Sequence, residues 1–303
     1  MEQVKIYDKE GPIDSIKEAT GVTVGVFDGV HRGHRELLAE LKTKCDGGCA
    51  PLVVSLTRHP SFVLGRRASE YWLDDPEEHL RMLFEAGAKY VVEMPFTREV
   101  AGMTACELTR WMYEKLQMRH LLLGYDSRFG SKEKDDFGQL PQLAAELGFT
   151  LERGLPYTVT GEPISSSRIR RTLEDGAVEE TAALLGRPFC LTGTVTHGRG
   201  VGRTLGFPTA NIDLAQTRKM LPKEGVYAVR IGNCKGMANL GDAPTFGMDK
   251  PLLEVHLIDY QGNLYGETVT VEFLHRIRDI RRFGSAGELQ AQLNKDIEEA
   301  RQW

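Results

Sequence analysis

Four apolar runs punctuate the first 186 residues: VTVGVF (22–27), PLVVSL (51–56), KYVVEM (89–94) and HLLLGY (120–125). Each is nearly continuous rather than alternating, the pattern of a strand covered on both faces of its sheet. Helical periodicity fills the intervals. In Gly33–Lys44, Leu37, Leu38 and Leu41 form one stripe. In 104–116, Thr104 and Glu107 have capping-box spacing, and Leu108, Trp111, Met112 and Leu116 supply a buried face. Strand and helix in alternation predict a parallel α/β sheet, whose ligands bind beyond the carboxyl ends of the strands.

After Gly186 the pattern changes. FCLTGTV, GVYAVRI, KGMANLG, LLEVHLIDY and ETVTVEFL are short strand patterns separated by turn signals, with Gln261-Gly262-Asn263 as a hairpin turn. They predict a compact antiparallel barrel. A helix from about residue 285, with Leu289, Leu293 and Ile297 at four-residue spacing, closes the chain. The expected domains are therefore 1–186 and 187–303, which suits a 303-residue chain at about 150 residues per domain.

Composition narrows the class. A net charge of −5 gives no basis for non-specific nucleic-acid or membrane binding, and no apolar stretch approaches a membrane span of about 20 residues. Five scattered cysteines argue against a disulfide framework. A cytoplasmic enzyme is the expectation, and no feature specifies an oligomer.

The first chemistry lies at VGVFDGVHRGHREL (24–37), where a strand, a loop and a helix start follow one another. Helix N-termini offer free amides and a positive dipole end to anions. Gly25, Gly29 and Gly33 let a nucleotide approach the backbone, and the His31 and His34 imidazoles can donate to phosphate oxygens as charge develops. Cys45 and Cys49 follow, but the intervening helix would separate them from the histidines by about 15 Å, too far for one zinc ion. Alone, H-x-x-H also fits a polar turn with satisfied histidines. ISSSRIR (164–170) offers hydroxyls at Ser165 and Ser167 and a guanidinium at Arg170 to a triphosphate; it equally fits a capped helix with a solvated basic face.

In the second domain, His197–Gly206 is glycine-rich and carries Arg199 and Arg203, a composition suited to covering phosphates. Pro208 biases Phe207 toward extended geometry, so Thr209 and Asn211 point to one side and present two neutral oxygens to a hard cation such as ATP-bound Mg2+. A turn with local hydrogen bonds is the alternative. Glu254 and His256 share one strand face, and Glu254 is either a general base or a solvent-facing residue.

VGVFDGVHRGH resembles the HxGH signature of nucleotidyltransferases, and ISSSRIR resembles their ISSTxxR motif. With GYDSRFG, LLGRPF, GRTLGFPTANI, LPKEGVYAV, ANLGDAPTF and LEVHLIDYQGNLYGETVTVEFL, the whole chain is similar to the prokaryotic bifunctional riboflavin kinase/FMN adenylyltransferases, or FAD synthetases. The resemblance implies a nucleotidyltransferase-like parallel-sheet domain followed by a riboflavin kinase barrel with a C-terminal helix. It implies that the barrel phosphorylates riboflavin to FMN with ATP and Mg2+, and that the first domain adenylylates FMN to FAD with release of pyrophosphate. ATP, riboflavin, FMN and FAD are then the ligands. Glu254 would be the kinase base, and His31 and His34 would stabilise the reacting phosphate. Gly25, Phe27, Asp28, Gly29, Ser165, Ser167, Arg168 and Arg170 would contact ligand in the first domain. Gly198, Arg203, Gly206, Pro208, Thr209 and Asn211 would do so in the second, with Thr209 and Asn211 at the metal.

The sequence departs from the family at Leu56-Thr57-Arg58-His59-Pro60, Ser127, Ala243 and Ile280. The first two departures touch the adenylyltransferase half. A riboflavin kinase with a weak or inactive first domain is therefore a second expectation, and a non-catalytic flavin- or nucleotide-binding regulator a third.

Overall fold

A continuous apolar run makes sense only where both sheet faces are covered, and in the computed structural model both are. The structure describes residues 4–57, 63, 71–131, 134–198, 202, 206–242 and 251–303. The chain divides into two compact units, residues 1–165 and 166–303.

In the first unit, β1 (Lys5–Asp8), β2 (Gly11–Ile13) and β3 (Thr20–Gly25) precede α1 (Arg32–Cys45) and β4 (Ala50–Leu56). Then come α2 (Pro76–Glu85), β5 (Tyr90–Met94), α3 (Arg98–Gly102), α4 (Ala105–Lys115) and β6 (Met118–Leu123). The unit continues through α5 (Leu140–Leu147), β7 (Thr150–Arg153) and a small ribbon of β8 (Thr158–Val159) with β9 (Glu162–Pro163). Among the described residues the main sheet has seven strands in the order β2-β1-β5-β4-β3-β6-β7. Strands β3 to β7 pair in parallel, as the pattern predicts. The antiparallel edge pair β1–β2 escapes the periodicity because each strand is too short to carry one.

Alternate residues of the central strands feed two cores. Val22, Val24, Leu52, Val54 and Val92 pack with Leu108 and Met112 of α4, whereas Val53 and Val91 pack with Leu38 of α1 and Met82 and Leu83 of α2. Each fully buried aliphatic side chain contributes about 1.5–3 kcal/mol. The Thr104/Glu107 capping box forms at the start of α4. Strands β3 and β4 end beside the loop that leads into α1, which places the HxGH motif at the carboxyl edge of the sheet.

The second unit begins with α6 (Ser166–Asp175) and α7 (Val178–Leu185). Six strands follow: β10 (Phe189–Thr196), β11 (Ala210–Asp213), β12 (Gly225–Ile231), β13 (Cys234–Asp242), β14 (Pro251–Leu257) and β15 (Thr268–Arg278). Helix α8 (Ala286–Gln302) ends the chain. Among the described residues the strands close into a barrel in the order β10-β11-β14-β13-β12-β15. Strand β15 pairs with β10 and β12, not with β14. Gln261-Gly262-Asn263 is therefore part of a connection between non-adjacent strands, not the hairpin turn expected from composition. The turn signal was real; a local pattern carries no information on which strands it joins.

Barrel strands alternate inward and outward. Leu191, Leu240, Leu253, Val255 and Phe273 are buried on the inner face, and Tyr227 meets Phe273 edge to face at 5.2 Å. On the outer face, Val226, Ala228 and Met237 pack with Leu293, Ile297 and Ala300 of α8. The buried Asp296 carboxylate accepts from Arg278 Nε and Nη2 at 3.0 and 2.7 Å, pinning that helix to β15.

Helix α7 packs with the barrel strands β10 and β15, and α6 packs against α7. The Lys223 amide donates to the Leu173 carbonyl at 2.8 Å, and Glu179 hydrogen-bonds His275. The change of pattern at 186/187 marks where helix gives way to strand, and helical periodicity alone does not name the partner. A fragment 166–303 should accordingly be more stable than 187–303, with a melting temperature at least about 5 °C higher. Equal melting curves would show that the helix pair contributes nothing to this unit.

Candidate active sites

Strand β3 ends at Gly25, and the chain then enters a tight loop. Phe27 and Val30 have φ of 52° and 35°, and Gly29 has φ of 83°. A left-handed β-branched residue such as Val30 is costly and persists only where its surroundings over-determine it. Here they do. The Asp28 carboxylate accepts from the Leu73 amide at 2.8 Å, and the Gly29 amide donates to Asp74 Oδ2 at 3.0 Å. Phe27 and Val30 pack into the core shared with α2.

This loop delivers His31 to the N-cap of α1. Its Nδ1 accepts from the His34 amide at 3.3 Å, so the neutral ring carries its proton on Nε2. The His31 and His34 rings stack at 3.5 Å, and Phe27 meets His34 edge-on at 5.1 Å. Burial, then the charges of His31 and His79, hold the His34 pKa well below its ordinary 6.5. Near neutral pH the ring is uncharged, and it sits where a helix dipole and free amides favour an anion. Gly25 lies under the Phe27 ring, 3.2 Å from where a Cβ would stand.

Ile164, which precedes Ser165, packs 3.8 Å from the Cβ position of Gly33 and brings Ser165 toward the same motif. Ser167, Arg168 and Arg170 lie in α6 of the other unit. Ser167 is exposed, Arg170 is buried, and Arg168 donates to Glu180 at 3.1 Å. Leu56 is buried in the sheet core rather than offered to a ligand. Arg58, His59 and Pro60 lie outside the described residues. All five cysteines are free, and among the described residues no group of three or more His, Cys, Asp and Glu side chains could hold a metal ion.

Sequence reasoning missed Asp74, His79 and Ser55. The WLDDPEEHL stretch signals a helix start through Pro76, but nothing in it points to a loop 45 residues earlier.

The barrel carries a cavity of about 270 Å3 that includes His197, Gly198, Pro208, Thr209, Asn211 and Tyr265 in its lining. His197 and Tyr265 stack at 3.9 Å to form one wall. Gly198 has a steric reason: a Cβ there would stand 2.0 Å from Asn211 Nδ2. The backbone can thus lie against the Asn211 side chain. Gly206, with φ of 89°, makes the turn that the Phe207 amide closes by donating to Gly202 O at 2.8 Å. Arg203, Arg199 and Ala243 lie outside the described residues. Thr209 and Asn211 offer neutral oxygens in a polar recess, a donor set that fits a hard cation held mainly by phosphates and water.

Glu254 does not line this cavity. It lies one strand away, opposite Asn211 on β11 and Asn239 on β13, so the three side chains form a row on the outer barrel face. Burial raises the Glu254 carboxyl above its ordinary 4.5, and a hydrogen bond from Asn239 partly opposes this. His256, two residues on, hydrogen-bonds Pro208 O through Nδ1 at 2.8 Å and packs edge to face on Phe207. It thereby braces the segment bearing Thr209. A larger depression of about 650 Å3 beside His275 and Trp303 holds none of the predicted site residues.

The FAD synthetase family model matches residues 13–168, and the riboflavin kinase model matches 185–303. A bifunctional riboflavin kinase/FMN adenylyltransferase of Escherichia coli is 36% identical over 294 residues, covering 95% of this chain and 93% of the relative. The chain belongs to that family. The Bacillus subtilis member is 34% identical and covers 95% of each chain. The family pairs a kinase and a nucleotidyltransferase in one polypeptide, and this enzyme carries both domains. The fold also matches the crystal structure of a Streptococcus pneumoniae protein described as a macrolide-efflux protein, with a TM-score of 0.85, 31% identity and 96% of each chain covered. Among the described residues of this family member, no helix is long and apolar enough to cross a membrane.

The His34 environment has a measurable consequence. A pKa lowered on folding means that the folded state binds fewer protons, so the associated stability is complete above about pH 6.5 and is lost as pH falls below it. The His34 ring should be neutral at pH 6.5 by side-chain nitrogen NMR, and acid should destabilise the wild type more steeply than His34→Gln. A half-protonated His34 at that pH would contradict the site described here.

Proposed function

We propose that the barrel transfers the ATP γ-phosphoryl group to the ribityl 5′-hydroxyl of riboflavin, giving FMN and ADP. In the same reading, the N-terminal domain joins FMN to the AMP portion of a second ATP, giving FAD and pyrophosphate. The functional boundary is placed at 186/187. The observation that carries the reading is the His31–His34 pair stacked at a helix N-terminus, with the His34 ring neutral, in a chain whose other half is a kinase-family barrel.

In the kinase, Glu254 takes the proton of the attacking hydroxyl. Its raised pKa brings it closer to the operating pH, as general-base catalysis favours. Thr209 and Asn211 would hold the Mg2+ that accompanies ATP, where the cation neutralises phosphate charge. Gly198, Arg203, Gly206 and Pro208 would contact the ATP phosphates, and His256 braces the segment before Thr209 through the Pro208 carbonyl.

In the adenylyltransferase, an FMN phosphate oxygen attacks the ATP α-phosphorus and pyrophosphate leaves. Nε2–H of His31 and the neutral ring of His34 donate to phosphate oxygens as charge builds, aided by the amides of α1. Gly25, Phe27, Asp28 and Gly29 form the loop the nucleotide approaches. Ser165, Ser167, Arg168 and Arg170 serve the triphosphate, with Arg168 also engaged by Glu180. Free thiols at all five cysteines support a cytoplasmic setting.

Incubation with riboflavin, ATP and Mg2+, followed by separation of FMN from FAD, tests both halves. Glu254→Gln should slow FMN formation by about 10²–10⁴-fold while leaving FAD formation from supplied FMN intact. Near-normal phosphorylation by the folded variant would remove Glu254 as the base. His34→Ala should slow FAD formation by about 10²–10³-fold, the usual cost of a lost transition-state donor, with FMN production unchanged. Absence of FAD and pyrophosphate from wild-type protein at saturating FMN and ATP would identify a riboflavin kinase with an inactive first domain.

A further inference from the structure

Behind the His31–His34 site lies a buried polar chain that neither half-reaction uses directly. Asp74 Oδ2 accepts both the Gly29 amide at 3.0 Å and His79 Nδ1–H at 3.0 Å. His79 Nε2 lies 2.9 Å from Ser55 Oγ, and Ser55 Oγ reaches the Val26 carbonyl at 3.5 Å. Ser55, Asp74 and His79 are 1%, 3% and 9% exposed, so the Ser–His–Asp order is not a hydrolytic triad open to substrate. It begins and ends on the same loop instead. Val26 and Gly29 bracket Phe27 and Asp28, and Phe27 is one of the two non-glycine residues held left-handed there.

We propose that Asp74 and His79 are positioning residues for adenylyl transfer: His79 orients the Asp74 carboxylate, Asp74 holds the Gly29 amide, and the loop so fixed sets His31 and His34 against the nucleotide phosphates. The proposal rests on the assignment of those two histidines to the phosphates.

The chemistry of the chain supports a role beyond packing. A carboxylate that accepts from two donors is held in one orientation, and every part of this link is removed from water, where such bonds are strongest. Burial works against charge on His79, but the Asp74 hydrogen bond and the charges of Asp74, Asp28 and Glu93 together raise its pKa above 6.5. The imidazolium donates from both nitrogens, which leaves the Ser55 hydroxyl to donate to Val26 O. The neutral ring keeps Nδ1–H on Asp74 and turns Nε2 into an acceptor, which draws the Ser55 hydroxyl away from the loop. The charged form is favoured by folding, so the grip is complete at lower pH and weakens as pH rises through the His79 pKa. His34 is also within reach of this charge, and the His79 charge helps keep it neutral.

The test uses the full chain, whose kinase activity reports on the other unit as an internal control. Asp74→Asn replaces one acceptor oxygen with a donor. It should lower kcat for FAD formation from supplied FMN by about 10–100-fold, the scale of a small misplacement of catalytic groups. KM for ATP should stay within about threefold, because ground-state binding is not the target. His79→Asn keeps a donor at the Nδ1 position but cannot titrate. It should retain most of kcat and lose the alkaline fall in FAD formation expected of the wild type, while the pH profile of FMN formation stays unchanged in all variants.

Wild-type kcat in folded Asp74→Asn, or an unaltered alkaline limb in His79→Asn, would overturn the proposal. If Asp74→Asn fails to fold, the His79→Asn profile decides alone. His34→Ala separates the two levels of the argument. If it leaves FAD formation intact, the phosphate-site reading fails; if it abolishes FAD formation while Asp74→Asn does not, only the positioning role fails.

Discussion

The hydrogen bonds that join the Leu73 and Gly29 amides to the buried carboxylates of Asp28 and Asp74 fix the turn on which the first site is built. Without them, a loop with Phe27 and Val30 in left-handed conformations would relax toward ordinary backbone. The N-cap position of His31, its tautomer and its stacking on His34 all follow from where that turn releases the chain. The sheet matters to this site chiefly as an anchor: β4 supplies Ser55, and the segment leading into α2 supplies Asp74. Function here depends on geometry imposed from behind the nucleotide-facing groups.

The barrel solves its problem differently. Its site is laid out by strand register, which sets Asn211, Glu254 and Asn239 side by side without strain. The outer face that carries this row is covered by α8 over β12 and β13, and the Arg278–Asp296 pair holds the helix in place. Burial of Glu254 is what raises its pKa, and the hydrogen bond from the Asn239 amide works the other way.

Much of this was legible in the sequence, for physical reasons. Apolar runs such as PLVVSL and HLLLGY announce strands covered on both faces, and the Thr104/Glu107 spacing announces a helix start; both are local signals and both appear in the fold. The Thr209/Asn211 pair was readable because an extended chain alternates its side chains, and both line one cavity. What failed to show was non-local. The connection after β14 carries turn residues, yet strand order makes it a crossing rather than a hairpin. The match between Asp74 and Gly29 spans 45 residues and leaves no periodic trace. Arg168, named from the family resemblance, has Glu180 as a partner one helix later, and a motif does not reveal which acceptor an arginine meets.

The two sheets also differ in how they end. Among the described residues, the closed barrel has no unpaired strand to offer a neighbour, whereas the open sheet of the first unit has two. One of those margins is β2, three residues long with Pro12 at its centre; the other is the four-residue β7, where Glu152 is tied to Lys44 and Arg153 adds a second charge. Short, proline-bearing or charged margins are poor templates for edge-to-edge growth of a sheet. Among the described residues, neither margin of that sheet therefore offers a long, flat edge for a further strand to extend.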